Sequence, residues 1–451
     1  MSTNHEFDLI VLGAGTGGNG VARMAVQAGW NVASVDPLPY GGTCALRGCD
    51  PKKMLVAVTE GVDWVNNLKG KGLEADVSVN WPDMIAFKRT FTDVMPPRIE
   101  AGLKNAGITT LHGEARFTGP DTIEINGQLL RSLNFHIATG ARPMTLNIPG
   151  EDLLTTSTDF LALPEKPQRI AFVGGGFIAM EFAHIANRAG AAEVTVLEMM
   201  KRPLGNFDPD LVNLLVEATE DLGIDLKTEA KVLSIEESGK TFVVTYESPS
   251  GKEQIICDLV VHATGRVPNI DGLNLKAANV DFGPRGIKVS PYMRTTNPAI
   301  FAAGDCADSG PNLTPVSANE ARIAGKNLLA GKDERAVNYP PIPSVVFTLP
   351  QLATVGLSEA AAREQNLAFD VHFEKTDDWY SSLRVGAKRT AFKVLVEKET
   401  GLILGAHLMG PGAEEQINLF AMAMGTGIPA NKIKGMIFAY PSYASDIGSM
   451  V

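Results

Sequence analysis

Cysteine is scarce, with four residues among 451. That excludes a disulfide scaffold and fits a reducing compartment. Positive charge is also short. Lys and Arg number 40 against 51 Asp and Glu, for a net charge of −11. No basic stripe is available to neutralise phosphates, so nucleic acid is excluded as a partner. No apolar run reaches the ~20 residues that span a bilayer, so no membrane partner is expected. The opening Met1-Ser2-Thr3-Asn4-His5-Glu6-Phe7 is short and polar. It does not read as a secretory signal, and a cytoplasmic location is expected. There is no low-complexity segment. What remains is an ordinary composition, in a chain long enough for about three domains at ~150 residues each.

The first strong pattern is strand, turn, helix, strand. Residues 7–12 form an apolar run that ends at Gly13-Ala14-Gly15-Thr16-Gly17-Gly18. A helical pattern follows and stops at Gly29, and a second strand from Val32 ends at Asp36. The unit recurs. Ile170 to Val173 is a strand, Gly174-Gly175-Gly176 the turn, Phe177 to Ala189 a helix, and Val194 to Leu197 a strand ending at Glu198. Each unit is followed by an Ala-Thr-Gly stretch, at Ala138-Thr139-Gly140 and at Ala263-Thr264-Gly265, the latter before Arg266. Pro-rich joints fall near 143–150, 266–285 and 340–343. Beyond the last, strand-like runs (Phe392 to Val396, Ile403 to Leu408) and a helix over Ala413 to Met424 suggest an α+β module. The expected fold is α/β, with two Rossmann-like dinucleotide-binding domains and a C-terminal α+β domain.

Each turn carries its own chemistry. Gly13, Gly15 and Gly18 let the backbone approach a pyrophosphate at the positive end of a helix, and Asp36 can bond ribose hydroxyls. The second turn, Gly174-x-Gly176-x-x-Ala179, is the accepted variant of that pattern. A carboxylate at Glu198 bonds a ribose 2′-hydroxyl and repels a 2′-phosphate, which favours NADH. Lys201 and Arg202 are either solvated cations or partners for the phosphate of NADPH.

The most informative stretch is Gly41-Gly42-Thr43-Cys44-Ala45-Leu46-Arg47-Gly48-Cys49-Asp50-Pro51-Lys52-Lys53. On a straight helix the two cysteines would be separated by about 7.5 Å of rise, and on a strand by roughly 16 Å. A disulfide wants Cα atoms ~4.4–6.8 Å apart. A bridge therefore needs a bent or irregular helix start, which the flanking glycines allow. The other readings are two unrelated thiols, or zinc, which needs four ligands where Cys257 and Cys306 are single.

Cys-x4-Cys-x2-Lys behind a first Rossmann turn resembles the flavin-dependent pyridine nucleotide-disulfide oxidoreductases, which include glutathione reductase, dihydrolipoamide dehydrogenase and mercuric reductase. Phe301-Ala302-Ala303-Gly304-Asp305 matches that family's second flavin motif, and Leu313-Thr314-Pro315-Val316 its segment beside the flavin pyrimidine. Val345 to Pro350 opens a segment like its dimer-interface domain. The resemblance implies residues 1–149 and 271–337 as two parts of an FAD-binding domain, 150–270 as the NAD(P)H-binding domain and 338–451 as the dimer interface. Gly42, Thr43, Thr139, Gly140, Gly304, Asp305 and Thr314 would then line FAD. Gly174, Gly176, Phe177, Glu198, Gly265 and Arg266 would line NADH or NADPH, with Phe177 as the aromatic gate. Electrons would pass from nicotinamide through flavin to a Cys44–Cys49 disulfide. Cys49 would be the thiolate against the flavin and Cys44 the exposed thiol that meets substrate. Lys52 would sit by the flavin and pair with Glu181.

The pattern breaks near the C-terminus. Disulfide-reducing members carry His-Pro-Thr-x-x-Glu there, and the His protonates the leaving thiolate from across the dimer. Here Tyr440 replaces His and Ser445 replaces Glu, with Tyr443 and Asp446 as candidate substitutes. A Tyr at pKa ~10 giving its proton to a thiolate at ~8.5 works uphill by roughly 2 kcal/mol. Mercuric reductase also has Tyr at this place, but its C-terminal Cys pair is missing here, because no Cys follows Cys306. Asp50, directly after Cys49, is unusual where an apolar residue is commoner, and its charge would raise that thiol's pKa. Arg23 and Arg322 align with arginines that hold glutathione carboxylates, or are ordinary helix-surface arginines. The expected protein is a homodimeric enzyme, with an active site shared across subunits, acting on a small oxidised acceptor other than a simple symmetrical disulfide. No resident metal is expected. The alternatives are a glutathione reductase-like or dihydrolipoamide dehydrogenase-like disulfide reductase, or a non-catalytic flavoprotein or redox sensor.

Overall fold

The computed structural model describes residues 6–451. The reading of the N-terminus falls mainly on residues 1–5, outside the described residues. The chain packs as two units, each assembled from three stretches.

The first unit takes residues 1–52, 86–144 and 265–339. Its centre is a parallel sheet in which β1 (Phe7–Leu12) lies between β2 (Val32–Asp36) and the strand Gln128–Ile137. Strands Thr109–His112 and Ile300–Ala302 extend it on either side. Leu9, Ile10, Val11 and Leu12 are all buried. A continuous apolar run is what a parallel strand needs when both sheet faces are covered. On one face lie α1 (Thr16–Gln27) and the helix Thr314–Ala330, packed with Val21, Ala22, Ala25, Ala321 and Ala324 in one core. α2 (Gly42–Arg47) and the start of α3 (Cys49–Leu68) follow β2.

The second unit takes residues 53–85, 145–264 and 340–451. It repeats the design, with β3 (Arg169–Val173) parallel to β4 (Glu193–Leu197) and to Leu259–His262. α4 (Phe177–Arg188) covers one face through a core in which Phe182 stacks on Phe160 at 4.6 Å between ring centroids. The C-terminal part is a five-stranded antiparallel sheet covered by the helix Ala413–Thr426. Both parts conform to the expected α/β and α+β architecture. No described helix is long and apolar enough to cross a membrane.

Candidate active site

The two glycine turns are built alike. Gly13 N–H donates to Val35 O at 2.7 Å and Gly174 N–H to Leu197 O at 2.8 Å. Both glycines have positive φ, +107° and +102°. A Cβ on Gly13 would stand 2.2 Å from Ala138 O, and one on Gly174 2.5 Å from Ala263 O. Only glycine fits at either position. The acid ending each second strand grips its turn. Ala14 N–H donates to Asp36 Oδ2 at 2.8 Å, and Gly175 N–H to Glu198 Oε2 at 2.5 Å. Glu198 Oε1 also accepts from Met200 N–H at 2.7 Å. α1 and α4 both start at a glycine N-cap that no side chain caps. Their first-turn amides and positive helix ends thus meet a pyrophosphate without competition. These cradles fit two dinucleotides, one per unit.

Beside the first turn, Gly42 at φ +71° brings α2 against Gly15, where a Cβ would come within 2.5 Å of the Gly15 Cα. α2 then breaks at Gly48 (φ −148°, ψ −109°), and α3 begins at Cys49. A bridge between Cys44 and Cys49 would need an irregular helix start of this kind. The two cysteines are present as thiols, with Cys44 half-buried and Cys49 exposed. A hydrogen bond from Cys44 pulls Cys49 down to about 6, helped by Thr314 and by Lys52, against burial and Asp50. The same bond, with burial, pushes Cys44 far up. These opposite shifts favour Cys49 over Cys44 as the thiolate of the two. Cys49 Sγ lies 3.7 Å from Thr314 Oγ1.

Asp305 is half-buried, and desolvation raises its carboxyl above the ordinary range, with Arg266 as the opposing charge. Arg266 was expected with the nicotinamide residues. It packs in the first unit, where Arg266–Pro268 pairs with Ala141–Pro143 and its guanidinium donates to Ala141 O. Sequence reasoning missed Glu320, which is almost fully buried on the helix Thr314–Ala330. Its carboxylate accepts from Gly304 N–H (2.8 Å), Gly310 N–H (3.0 Å) and Tyr339 O–H (2.6 Å), so it fixes the Gly304-Asp305 turn. The available signal was an acid four residues after Val316, on the helix's apolar stripe.

In the second unit, Phe177 is exposed at the start of α4, and Glu181 is buried, accepting from Phe347 N–H at 2.8 Å. Lys52, in the first unit, is buried too. Tyr440 is 80% exposed, and Ile437 beside it is fully exposed. Ser445 closes a capping box with Ser442. Tyr443 packs 5.0 Å from Arg384, and Asp446, raised by burial, bonds Ser381 with Arg384 as its charged neighbour. No group of three or more His, Cys, Asp or Glu placed to hold a metal ion occurs among the described residues.

Comparison with known proteins gives the family. Residues 7–321 match the profile described as pyridine nucleotide-disulphide oxidoreductase, and residues 342–451 match its dimerisation domain. The chain belongs to the pyridine nucleotide-disulphide oxidoreductase family. It is 33% identical to a glutathione reductase of Burkholderia cepacia over 98% of both chains. It is 31% identical to a mercuric reductase of Bacillus cereus, over 98% of this chain and 71% of that one. It is 32% identical to a dihydrolipoyl dehydrogenase of Thermus scotoductus, over 98% and 96%. Among solved structures it resembles the HOCl-induced flavoprotein disulfide reductase RclA from Escherichia coli, at TM-score 0.89 and 26% identity over 98% and 99% of the chains. A Cu(II) complex of that reductase matches equally well. The protein is thus an FAD-dependent oxidoreductase that uses NAD(P)H, as the sequence resemblance implied.

Proposed function

We propose that Cys44 and Cys49 form the redox pair, and that the acceptor is a small thiophilic species, foremost a metal ion such as Cu(II) or Hg(II). A persulfide, or a disulfide with an acidic leaving thiol, fits the same site. The observation that carries this reading is the pair of thiols flanking the Gly48 break, with Cys49 Sγ 3.7 Å from Thr314 Oγ1, taken together with an exposed Tyr440 where a disulfide reductase has histidine. Bound FAD would supply a two-electron relay from NAD(P)H. The chain's own residues do the rest. The N-termini of α1 and α4 hold the two pyrophosphates, with Asp36 and Glu198 toward the riboses. Asp305, Thr139, Gly140, Gly304, Thr43 and Thr314 line the flavin. Cys49, held as thiolate by Cys44, Thr314 and Lys52, is the sulfur on the Thr314 side. Glu181 is a buried carboxylate of the nicotinamide half, and Phe177 gates its pocket.

The exchange balances simply. Two electrons and one proton convert the disulfide to the Cys44 thiol and the Cys49 thiolate. Two Cu(II) ions each take one electron as the S–S bond re-forms, and one proton leaves. A metal acceptor needs no protonated leaving thiol, so Tyr440 costs it nothing, whereas ordinary disulfide exchange carries the roughly 2 kcal/mol penalty. Glu198 favours NADH, because its charge repels a 2′-phosphate. Residues 338–451 are read as the interface of a homodimer that brings Tyr440 to the partner's thiols. The exposed Met436, Ile437 and Tyr440 support that reading. Residues 1–149 and 271–337 are read as the flavin domain and 150–270 as the nicotinamide domain, in a cytoplasmic protein. The 33% identity to a glutathione reductase supports a second reading, turnover of glutathione disulfide.

A stopped-flow acceptor panel on the prereduced enzyme tests both. Cupric and mercuric ions and polysulfide are expected to reoxidise it faster than glutathione disulfide or lipoamide, and Cys44→Ser to abolish the reaction. Fast turnover of glutathione disulfide, unharmed by Tyr440→Phe, would establish the second reading instead.

A further inference from the structure

Asp50 is not absorbed by the family pattern. It follows Cys49 on the first turn of α3, with an exposed side chain. Partial desolvation by the surrounding chain raises its carboxyl, and no cation pairs with it among the described residues. The nearby cations in sequence are engaged elsewhere. Lys53 bridges Glu60 at 3.0 Å and Glu414 at 3.6 Å. Arg47 is partly buried, with Asp36 as its charged neighbour. Lys52 is buried and acts on Cys49. The charge of Asp50 is felt by both sulfurs, and it works against thiolate formation at each. A carboxylate that opposes the thiolate is a cost to the chemistry, so what it contributes has to lie in what approaches the sulfur.

We infer that Asp50 is a specificity-determining residue, an unpaired carboxylate beside the exchange thiols that admits cationic acceptors and repels anionic ones. The inference rests on the proposed Cys44–Cys49 exchange pair and narrows its substrate class. A unit charge at ~7 Å in a largely aqueous dielectric changes the encounter of a singly charged reagent by about threefold. A monocation and a monoanion then differ by about tenfold. A divalent metal ion gains by about the same factor, and a disulfide bearing several carboxylates loses as much or more.

The test uses holoenzyme reduced with dithiothreitol, desalted, and treated with two methanethiosulfonates of similar size. One bears an ammonium group and the other a sulfonate. In each reaction a thiolate attacks the reagent's sulfenyl sulfur, a mixed disulfide forms and methanesulfinate leaves. The ratio of cation to anion rates is measured at one thiol, so any change in the thiol's own nucleophilicity cancels. Asp50→Asn and Asp50→Val are expected to lower that ratio about tenfold at low salt, and Asp50→Glu to retain it. The wild-type preference is expected to shrink at 1 M salt. A ratio within twofold of wild type in both neutral variants, or a wild-type ratio that ignores salt, overturns the inference. Cys44→Ser and Cys49→Ser identify the sulfur read. The assay needs no acceptor turnover. An enzyme that shows the charge effect yet reduces no metal ion keeps this inference and loses the metal reading.

Discussion

Replacing Cys44 by alanine probes the site at its most informative bond. The hydrogen bond from Cys44 is the largest single cause of the low Cys49 pKa, which stands at about 6. In Cys44→Ala that donor is gone, while the smaller contributions of Thr314 and Lys52 remain. Burial and Asp50 act the other way. Cys49 should therefore return toward an ordinary thiol, near ~8.5. At pH 7 the thiolate fraction falls from roughly nine-tenths to a few per cent, about a thirtyfold change. The sign follows from the shift. A depressed thiol pKa gives thiolate above about pH 6 in the parent and loses it as pH falls through that value. In the variant the same loss occurs about two and a half units higher. The assay is the pH profile of iodoacetamide alkylation at Cys49, read by mass on reduced protein, with thiolate absorbance near 240 nm as a second signal. A variant profile that still turns near pH 6 would refute the reasoning and shift the source of thiolate stabilisation to Lys52 or to the helix start.

Other outcomes follow from the same geometry. Lys393 is buried and bridges Asp208 and Glu359, each at 3.1 Å, and Asp210 at 2.5 Å. Lys393→Met leaves Asp208 buried and uncompensated, at about 3–5 kcal/mol. An unchanged urea midpoint would show that the cluster contributes nothing. Glu320→Gln loses an acceptor for the Gly304 or Gly310 amide, worth about 1–3 kcal/mol. Its FAD should leave on dialysis under conditions where wild type retains it, and equal retention would dismiss Glu320 as an organiser of the flavin turn. Glu198→Ser should raise the NADPH-to-NADH ratio of kcat/KM by about tenfold by removing a repelling charge. A ratio that stays put would place nucleotide choice elsewhere, Arg202 being the next residue to test.

Much of this was legible in the chain because the signals are local. The two strand–turn–helix units could be read from an apolar run, a glycine turn and a terminal acid, and the structure sets Asp36 and Glu198 on their turns in the same way. A bridge between the two cysteines would need an irregular helix start, and the structure has a break at Gly48. The less legible features depend on residues far apart in sequence. Glu320 looks like a surface helical acid until Gly304, Gly310 and Tyr339 converge on it. Arg266 follows the second Ala-Thr-Gly stretch, yet its strand pairs with Ala141–Pro143. Whether Asp446 or Tyr443 could stand in for the missing His-Glu pair was open from the sequence, and the structure places both around Arg384. Sequence spacing could not show which way those side chains turn.

The redox role of the two sulfurs is tested most directly by thiol labelling. FAD-loaded protein, oxidised and with its free thiols blocked, is given one equivalent of NADH without oxygen and then labelled with a second alkylating reagent. Mass spectrometry should find new label on Cys44 and Cys49 and none on Cys257 or Cys306, which are buried. Flavin reduced by NADH with no new label on either Cys44 or Cys49 would contradict electron flow through that pair.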